Sequence, residues 1–167
     1  RGPQQVLNGV SETLCQGEVV ALMGENGSGK TTLIEAFAGL LPLRSGDVIW
    51  EENGNSIVVR DSQGRRNQPP PMGLTLQKGG VCGEETIIER ISTSLSVAGI
   101  EHSDDHIMEL LSHWGLEHRA NDRLAHLSGG LRRRVAILGG LAPAALSNSP
   151  LVVLLDEPSE GLDASAK

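Results

Sequence analysis

Short apolar runs alternate along the chain with segments whose apolar residues recur at helical spacing. Residues 19–23 (VVALM) and 151–155 (LVVLL) are apolar runs of strand length, which is typical of strands buried on both faces. Residues 73–76 predict a further short strand, which ends at Gln77. Strands that alternate with helices in this way predict an α/β fold with a mostly parallel sheet and right-handed crossovers.

Three segments carry the helical spacing. A helix is expected directly after the first glycine-rich turn, and its apolar face comprises Leu33, Ile34, Phe37, Ala38 and Leu41. Residues 84–115 are expected to be helical, with Ser103 as an N-cap and Gly115 at the C-terminal end. The buried stripe of that segment is Ile107, Leu110, Leu111 and Trp114. A further helix is predicted over residues 131–141, followed by a loop over residues 143–150.

Residues 47–50 and 56–60 predict a β-hairpin, because the intervening Asn53-Gly54 pair is a strong turn signal. The hairpin adds an antiparallel element to a sheet that is otherwise expected to be parallel. Residues 63–71 end in consecutive prolines and predict a loop, since proline cannot donate to a sheet ladder.

Length, charge and composition limit the classes of function. The 167 residues suit one domain, and the formal net charge of -7 argues against a general nucleic-acid surface. Two Trp, one Phe and no Tyr leave almost no platform for stacking bases. No apolar run approaches the roughly 20 residues of a membrane-spanning helix. The chain does not begin with Met, so we expect the N-terminus of the protein to lie upstream.

The cysteines and histidines do not predict a metal site. Cys15 and Cys82 lie far apart without a CxxC partner, which argues against zinc and against a disulfide framework. His102 and His106 are spaced to share a metal on one helix face, but no third ligand is suggested nearby. We therefore interpret them as two exposed histidines near a helix start.

Residues 24–31 (GENGSGKT) fit the pattern G-x-x-x-x-G-K-[ST] at every fixed position, between a predicted strand and a predicted helix. Glycines let such a loop turn its N–H groups toward phosphate oxygens, and the helix that follows adds its positive end. Lys30 is expected to reach the β- and γ-phosphates, and Thr31 to place its hydroxyl on Mg²⁺. The nucleotide-binding residues predicted in this loop are Glu25, Asn26, Gly27, Ser28, Gly29, Lys30, Thr31 and Thr32.

An acidic pair follows the apolar run that ends at Leu155. Asp156 is expected at the carboxyl edge of the sheet, where ligands of parallel sheets gather, and is expected to hold Mg²⁺. Glu157 is expected to point toward the γ-phosphate, where a carboxylate polarises an attacking water. A solvated acid at a strand end is the ordinary interpretation of a lone Asp-Glu pair, but the phosphate loop in the same chain favours the catalytic one.

A second glycine turn, Ser128-Gly129-Gly130, also opens a predicted helix, about a hundred residues after the first. Together with the other motifs it resembles the nucleotide-binding domain of the ABC ATPase family. The motifs that carry the resemblance are GENGSGKT (24–31), LTLQ (74–77), LSGG (127–130), LVVLLDEP (151–158) and SEGLD (159–163). They occur in the family's order and span nearly the whole chain. The resemblance implies a P-loop NTPase core with a mostly parallel sheet, an antiparallel β-hairpin region and a helical subdomain that carries the signature motif LSGG.

The resemblance also gives the second glycine turn a role. Members of the family work as head-to-tail dimers, with ATP held between the phosphate loop of one subunit and the LSGG turn of the other. By this resemblance Ser128, Gly129 and Gly130 contact the γ-phosphate across the interface, and Asp163 helps to link the two sites. The catalytic residues implied for ATP hydrolysis are Glu157, Gln77 and Lys30. The Mg²⁺ ligands implied are Thr31, Gln77 and Asp156.

The resemblance implies an ATPase core over residues 1–78 and 132–167, with a helical subdomain over residues 79–131. We expect an ATP-binding and ATP-hydrolysing subunit that drives a membrane transporter. Its expected partners are a second ABC domain, in a homo- or heterodimer, and a transmembrane subunit, with no nucleic acid. Such a subunit is cytoplasmic and lies at the inner face of the membrane. The alternative is a soluble ABC ATPase of iron–sulfur assembly, translation or DNA maintenance that is not tied to transport.

The sequence departs from the family's pattern in several places. Leu131 stands where many members have Gln, but the phosphate contacts of the turn need no side chain there. Residues 132–134 (RRR) form either a solvated basic face or part of the dimer interface. Arg1 falls near the position of the family's adenine-stacking aromatic residue. The segment 139–150 is longer than the family usually has before the DEP strand, and we expect the family's switch histidine beyond Lys167.

Overall fold

The computed structural model describes residues 6–52, 54–67, 69, 71–77, 83–148 and 152–159. The chain divides into two compact units, Arg1–Pro70 and Pro71–Lys167, and each unit is described by itself. Two residues named from the resemblance, Arg1 and Asp163, lie outside the described residues.

The described part of the first unit contains one helix and one antiparallel hairpin: α1 (Lys30–Phe37), β1 (Asp47–Glu52) and β2 (Asn55–Asp61). As predicted, α1 begins directly after the glycine-rich turn, and it buries Ile34. It ends earlier than the apolar spacing suggests, because Gly39 adopts a φ of 70° and closes a Schellman motif. In that motif the N–H groups of Gly39 and Leu40 donate to the carbonyl oxygens of Ala36 and Glu35, each at 2.9 Å.

β1 and β2 pair along their length, from Asp47 opposite Asp61 to Glu52 opposite Asn55. Gly54 in the connecting turn has a φ of 79°, the left-handed conformation that tight hairpin turns require and that glycine adopts without strain. The structure therefore confirms the predicted hairpin.

The apolar run at residues 19–23 is not a buried strand, and that prediction is wrong. The structure shows no helix or strand there, and Val19 and Met23 are 99% and 89% exposed. A strand needs a neighbour whose N–H and C=O groups complete a ladder. Within the described part of the first unit, β1 and β2 pair with each other, and neither pairs with this run.

The described part of the second unit contains two strands, three α-helices and two short 3₁₀ turns. In chain order these are β3 (Met72–Thr75), α2 (Ile87–Val97), α3 (Asp104–His113), the turns Glu117–Arg119 and Leu124–His126, α4 (Gly129–Leu146) and β4 (Val152–Leu155). β3 and β4 are parallel, with Met72 opposite Val152 and Thr75 opposite Leu155. The parallel β3–β4 pair, the antiparallel hairpin and the helices of both units confirm the predicted α/β fold class.

The apolar faces of α2, α3 and α4 form the core of the second unit. Completely buried members of this core include Ile91, Leu95, Leu111 and Leu138. The segment predicted as helical over residues 84–115 is therefore two helices, which separate after Val97. None of the helices in the described ranges is both long and apolar enough to cross a membrane.

Capping boxes fix the starts of α2 and α3. Thr86 Oγ1 accepts a hydrogen bond from the Glu89 N–H at 3.3 Å, and a Glu89 carboxylate oxygen accepts one from the Thr86 N–H at 2.8 Å. Ser103 is the N-cap of α3, as predicted. The backbone and side-chain hydrogen bonds with Thr86 hold the pKa of Glu89 below its ordinary value of 4.5. Because the folded-state pKa is lowered, this cap stabilises the fold above the unfolded-state pKa, and the contribution is lost as pH falls through the folded-state pKa.

α4 is longer than predicted, because it continues through Pro143 to its end at Leu146. A proline inside a helix removes one backbone hydrogen bond and costs about 3 kcal/mol. Pro143 is buried here beside Ala142, which is completely buried in the core, and this packing offsets the cost. The predicted loop over residues 143–150 is therefore wrong in its first half, and most of the long segment at 139–150 is the last part of this helix.

α4 lies close against β3. A Cβ atom at Gly140 would overlap Thr75 Oγ1, and a Cβ atom at Gly73 would overlap the Gly140 carbonyl oxygen. Thr75 is buried, and its Oγ1 donates a hydrogen bond to the Ala136 carbonyl oxygen at 3.2 Å. Small residues on one face of α4 thus let the helix backbone approach the strand backbone.

Gly140→Ala is expected to destabilise the protein by roughly 1–3 kcal/mol, because the added methyl group overlaps the Thr75 side chain in a packed interior. Gly139→Ala is the matched control, since it makes the same change one residue earlier on α4. Its nearest neighbour, Ser94 Oγ, would lie 3.1 Å from the new Cβ. Both variants gain similar helix propensity, so the difference between their urea-unfolding midpoints isolates the contact with β3. Equal midpoints for the two variants would contradict this close packing.

Candidate functional site

The first phosphate loop depends on glycine where it enters α1. Gly27 and Gly29 have φ values of 85° and 100°, which other residues rarely adopt. Gly29 is the N-cap of α1 and provides no side-chain hydrogen bond to the helix. The first N–H groups of α1 therefore receive no hydrogen bond from an N-cap side chain, and they lie at the positive end of the helix, an arrangement that suits an anion.

Lys30 folds back over this loop. Its Nζ donates hydrogen bonds to the carbonyl oxygens of Gly24 at 2.9 Å and Glu25 at 3.0 Å. A cavity of about 310 Å³ lies beside the loop, and its lining includes Leu7 and Lys30. Lys30 is half-buried. The predicted nucleotide-binding residues, 25–32, are thus together in one loop and the first turn of α1.

The second glycine turn opens α4. Ser128 is the N-cap, and its Oγ accepts a hydrogen bond from the Leu131 N–H at 3.3 Å. Ser128 and Gly129 are exposed, and a Cβ atom at Gly129 would meet no atom within 4 Å. The Leu131 side chain packs against the helical core of the second unit. Leu131 therefore contributes to folding, and the turn itself stays open to solvent.

Gln77 and Glu157 meet just past the ends of β3 and β4. Gln77 Nε2 donates a hydrogen bond to Glu157 Oε2 at 3.1 Å, although the two residues are 80 positions apart in the sequence. They meet because parallel neighbouring strands end at the same edge of a sheet. Glu157 has a φ of 48° and is the one non-glycine residue of the described chain with a positive φ. This left-handed conformation costs roughly 1–2 kcal/mol, so the surroundings must hold it in place.

Asp156 is 1% exposed, and its Oδ2 has no hydrogen-bond partner among the described residues. A buried carboxylate oxygen needs a donor or a cation. Mg²⁺ usually takes one or two protein oxygens and completes its shell with water and phosphate oxygens. In the described part of the chain, no three His, Cys, Asp or Glu side chains gather into a metal-binding group. Asp156 therefore fits a Mg²⁺ ion that takes few ligands from the protein and the rest from water and nucleotide phosphates.

Arg133 is the site residue that the sequence analysis missed. It is 8% exposed, and its terminal nitrogens donate to four backbone carbonyl oxygens. Nη1 donates to Leu76 at 3.0 Å and Gln77 at 3.2 Å. Nη2 donates to Asp156 at 2.7 Å and Glu157 at 2.6 Å. One guanidinium group thus bonds to both of the turns that carry the candidate catalytic side chains.

The three consecutive arginines do not form one basic face, and that expectation is wrong for two of them. Arg132 is exposed, whereas Arg134 is half-buried and donates to a carbonyl oxygen at the end of α3 at 2.8 Å. Arg133 lies on the face of α4 that also carries Ala136 and Gly140, at i, i+3 and i+7. That spacing of small residues is the sequence signal that would have placed Arg133 against the sheet.

His102 and His106 have separate structural roles. The His102 ring nitrogens lie 2.8 Å from Ser92 Oγ and 2.9 Å from the Ile100 carbonyl oxygen, so this half-buried side chain is held between α2 and α3. His106 is exposed, and its Nδ1 accepts a hydrogen bond from the Ser103 N–H at the start of α3. The interpretation as exposed histidines is therefore right for His106, whereas His102 is partly covered.

Solved ABC transporter subunits resemble this structure. A putative ABC transporter ATP-binding protein from Pyrococcus furiosus is 25% identical, with a TM-score of 0.62, over 85% of this chain and 63% of that one. A dimeric bacterial ABC transporter cassette, MJ0796, is 26% identical, with a TM-score of 0.78, over 96% and 69%. An ATP-binding subunit of an ABC transporter is 28% identical, with a TM-score of 0.78, over 99% and 65%. The chain therefore spans about two thirds of the length of these proteins.

The family model of the ABC transporter matches residues 7–160, which is most of the chain. The matched range includes the phosphate loop, the LSGG turn and the turns that carry Gln77 and Glu157. On this match and the similar structures, the chain belongs to the ABC transporter family, as a nucleotide-binding domain of the ABC ATPase type.

Proposed function

We propose that the protein is an ATP-binding and ATP-hydrolysing subunit that dimerises head to tail around ATP and drives a membrane transporter. The observation that carries this proposal is the hydrogen bond between Gln77 and Glu157 beside the buried Asp156 carboxylate, whose Oδ2 has no partner among the described residues. An oriented carboxylate next to an ion-binding acid is the chemistry that hydrolysis of a phosphate anhydride needs.

ATP binding is assigned to the phosphate loop of residues 24–32. When a nucleotide enters, the Lys30 ammonium exchanges its two bonds to loop carbonyl oxygens for bonds to the β- and γ-phosphates, which are stronger because both partners are then charged. Thr31, Gln77 and Asp156 are the proposed ligands of Mg²⁺. When bound, this ion neutralises charge on the phosphate oxygens.

Hydrolysis is assigned to Glu157 as the base. Its carboxylate accepts a proton from the water that attacks the γ-phosphorus, while the bond from that phosphorus to the bridging oxygen breaks and ADP leaves. The Gln77 amide holds the carboxylate through the 3.1 Å hydrogen bond, and we assign to it the orientation of the water. Lys30 stabilises the charge that develops on the transferred phosphoryl group.

Dimerisation is assigned to the signature turn. Ser128 and Gly129 are exposed at the start of α4, and the space in front of Gly129 is open. Backbone N–H groups at a helix start bind phosphate oxygens, so this turn, with Gly130, is suited to the γ-phosphate held by a second subunit. One of the similar structures is itself named as dimeric. We assign Asp163 to the link between the two composite sites.

The transport role is supported by the family and by the names of the similar structures, which are all ABC transporter proteins. We propose that residues 1–78 and 132–167 form the ATPase core and that the helical subdomain at 79–131 helps to receive a transmembrane subunit. The protein would then be a cytoplasmic, peripheral subunit at the inner face of the membrane, paired with an identical or a different ABC domain.

Lys30→Ala is expected to weaken MgATP binding by about 100-fold, because two charge-assisted hydrogen bonds to phosphate are lost. Isothermal titration calorimetry on the full-length protein measures the change. Arg44→Ala is the control, since it removes one positive charge from an exposed position in the same unit. Wild-type affinity in the Lys30 variant would exclude the loop from the nucleotide site.

Glu157→Gln in the full-length protein is expected to lower ATP hydrolysis by at least about 100-fold, because the amide cannot accept the proton of the attacking water. ATP-bound dimers should then accumulate, and light scattering should report a doubled mass in the presence of MgATP. A variant that hydrolyses ATP normally and stays monomeric would show that Glu157 is not the base.

The role of the signature turn in dimerisation is tested in the Glu157→Gln variant. Adding Ser128→Arg to Glu157→Gln is expected to abolish the dimer, because a bulky side chain fills the open space at the start of α4. ATP binding to the monomer should be unchanged, because Ser128 is assigned to the site of the other subunit. Loss of ATP binding by the monomer would place this turn in the wrong site.

The full-length protein is expected to sediment with membranes and to co-purify, after detergent extraction, with an integral membrane protein identified by mass spectrometry. The Glu157→Gln variant serves as a control for complexes that break during ATP hydrolysis. Recovery of an active ATPase entirely in the soluble fraction, bound to soluble partners, would favour the soluble ABC ATPase class.

A further inference from the structure

We propose that Arg133 is a positioning residue for ATP hydrolysis. Its guanidinium group holds the two turns that carry Gln77 and Glu157 in the geometry in which these side chains act. The inference rests on the proposed function, in which Gln77 and Glu157 act on the attacking water. Arg133 itself bonds to backbone carbonyl oxygens and works through the other two residues.

The arrangement of the four bonds carries the inference. Nη1 donates to carbonyl oxygens of the turn after β3, those of Leu76 and Gln77. Nη2 donates to carbonyl oxygens of the turn after β4, those of Asp156 and Glu157. A guanidinium group is planar, and its N–H groups form a rigid fork. The spacing of its two terminal nitrogens therefore sets the distance between the two turns.

These turns need an external donor, because they lie past the sheet ladder. The bond from the Asp156 N–H to the Thr75 carbonyl oxygen, 2.9 Å, extends the pairing of β3 and β4 by one residue. Carbonyl oxygens beyond that point must find partners elsewhere, since an unpaired polar group near a buried region is costly. Arg133 provides charge-assisted donors at that position, which are stronger than neutral ones.

The conformation of Glu157 shows how strongly the turn is held. Its φ of 48° is unfavourable for a side chain with a Cβ, and Pro158 further restricts the residue before it. The shortest of the four bonds, 2.6 Å, joins Arg133 Nη2 to the carbonyl oxygen of this same residue. Without that bond we expect the turn to relax, so that the Glu157 carboxylate leaves its place beside Gln77.

The test compares two substitutions at Arg133 in the full-length protein. Arg133→Met keeps a long apolar stem and removes every donor, so kcat for ATP hydrolysis should fall by about 100-fold, as expected for a catalytic group displaced by about 1 Å. The dissociation constant for ATP without Mg²⁺, measured by calorimetry, should stay within about threefold, because ATP binding is assigned to the phosphate loop, which contains neither Arg133 nor the turns that it bonds. Arg133→Lys keeps the charge but not the fork, so kcat should remain at least about 10-fold low. Full activity in the lysine variant would overturn the proposal, because a charge alone would then suffice.

Arg134→Met is the matched control for a general loss of stability. It removes the same group from the next position of α4, where the guanidinium bonds to the end of α3 and not to either turn. Its thermal midpoint should fall, while its kcat stays within about threefold of wild type. If the two methionine variants have equal thermal midpoints and lose kcat to the same extent, Arg133 has only a structural role and the proposal is overturned. If Arg133→Met does not fold, the lysine variant decides on the same kcat and affinity criteria.

Hydrogen exchange separates this inference from the proposed function. In Arg133→Met, the amides of residues 76–77 and 156–157 should exchange faster than in Arg134→Met, without nucleotide present. Unchanged exchange at these amides would overturn the inference even in an active ATPase. Faster exchange in a protein whose wild type does not hydrolyse ATP would support the hold of Arg133 on the turns and would overturn the proposed function instead.

Discussion

Carbonyl oxygens that lie past the last ladder bond of β3 and β4 need donors from outside the sheet, and Arg133 supplies N–H groups to four of them. An arginine on a helix can reach them only if the helix lies close to the strands. The close approach comes from Gly140 on α4 and Gly73 on β3, where a Cβ atom would overlap its neighbours. Packing of small residues two helical turns away therefore makes the polar contacts of the candidate site possible.

Features set by neighbouring residues in the sequence were predictable. Ser103 caps α3 because its side chain reaches an N–H three residues on, and the Asn-Gly turn forms its hairpin for similarly local reasons. The loop before α1 is also local, since its glycines have the positive φ values that the motif requires. The meeting of Gln77 and Glu157 was not predicted; it arises because β3 and β4 are parallel neighbours and therefore end at one edge of the sheet.

Features that depend on distant partners were not predictable from pattern alone. The apolar run at 19–23 has strand composition, but composition does not supply the neighbour that a ladder needs. Pro143 predicts the end of a helix, yet its burial beside Ala142 outweighs the lost backbone hydrogen bond. From the run of three arginines alone, Arg133 is indistinguishable from the two beside it. The carbonyl oxygens that it bonds lie 57 and 23 residues away, so no local pattern indicates them.

The two glycine turns differ in what they offer to an anion, and the difference lies in their N-caps. Gly29 gives α1 no side-chain cap, so an anion at that helix start would find N–H groups without a capping side chain, together with Lys30. Ser128 caps α4 by accepting from the Leu131 N–H, but a hydroxyl that accepts one hydrogen bond keeps its own proton to donate. The cap thus holds Oγ in place with a donor available. Aspartate would cap a helix about as well, but it has no proton to give and its charge repels phosphate. Serine at position 128 is therefore suited to both the folding of α4 and an anion brought to its exposed start.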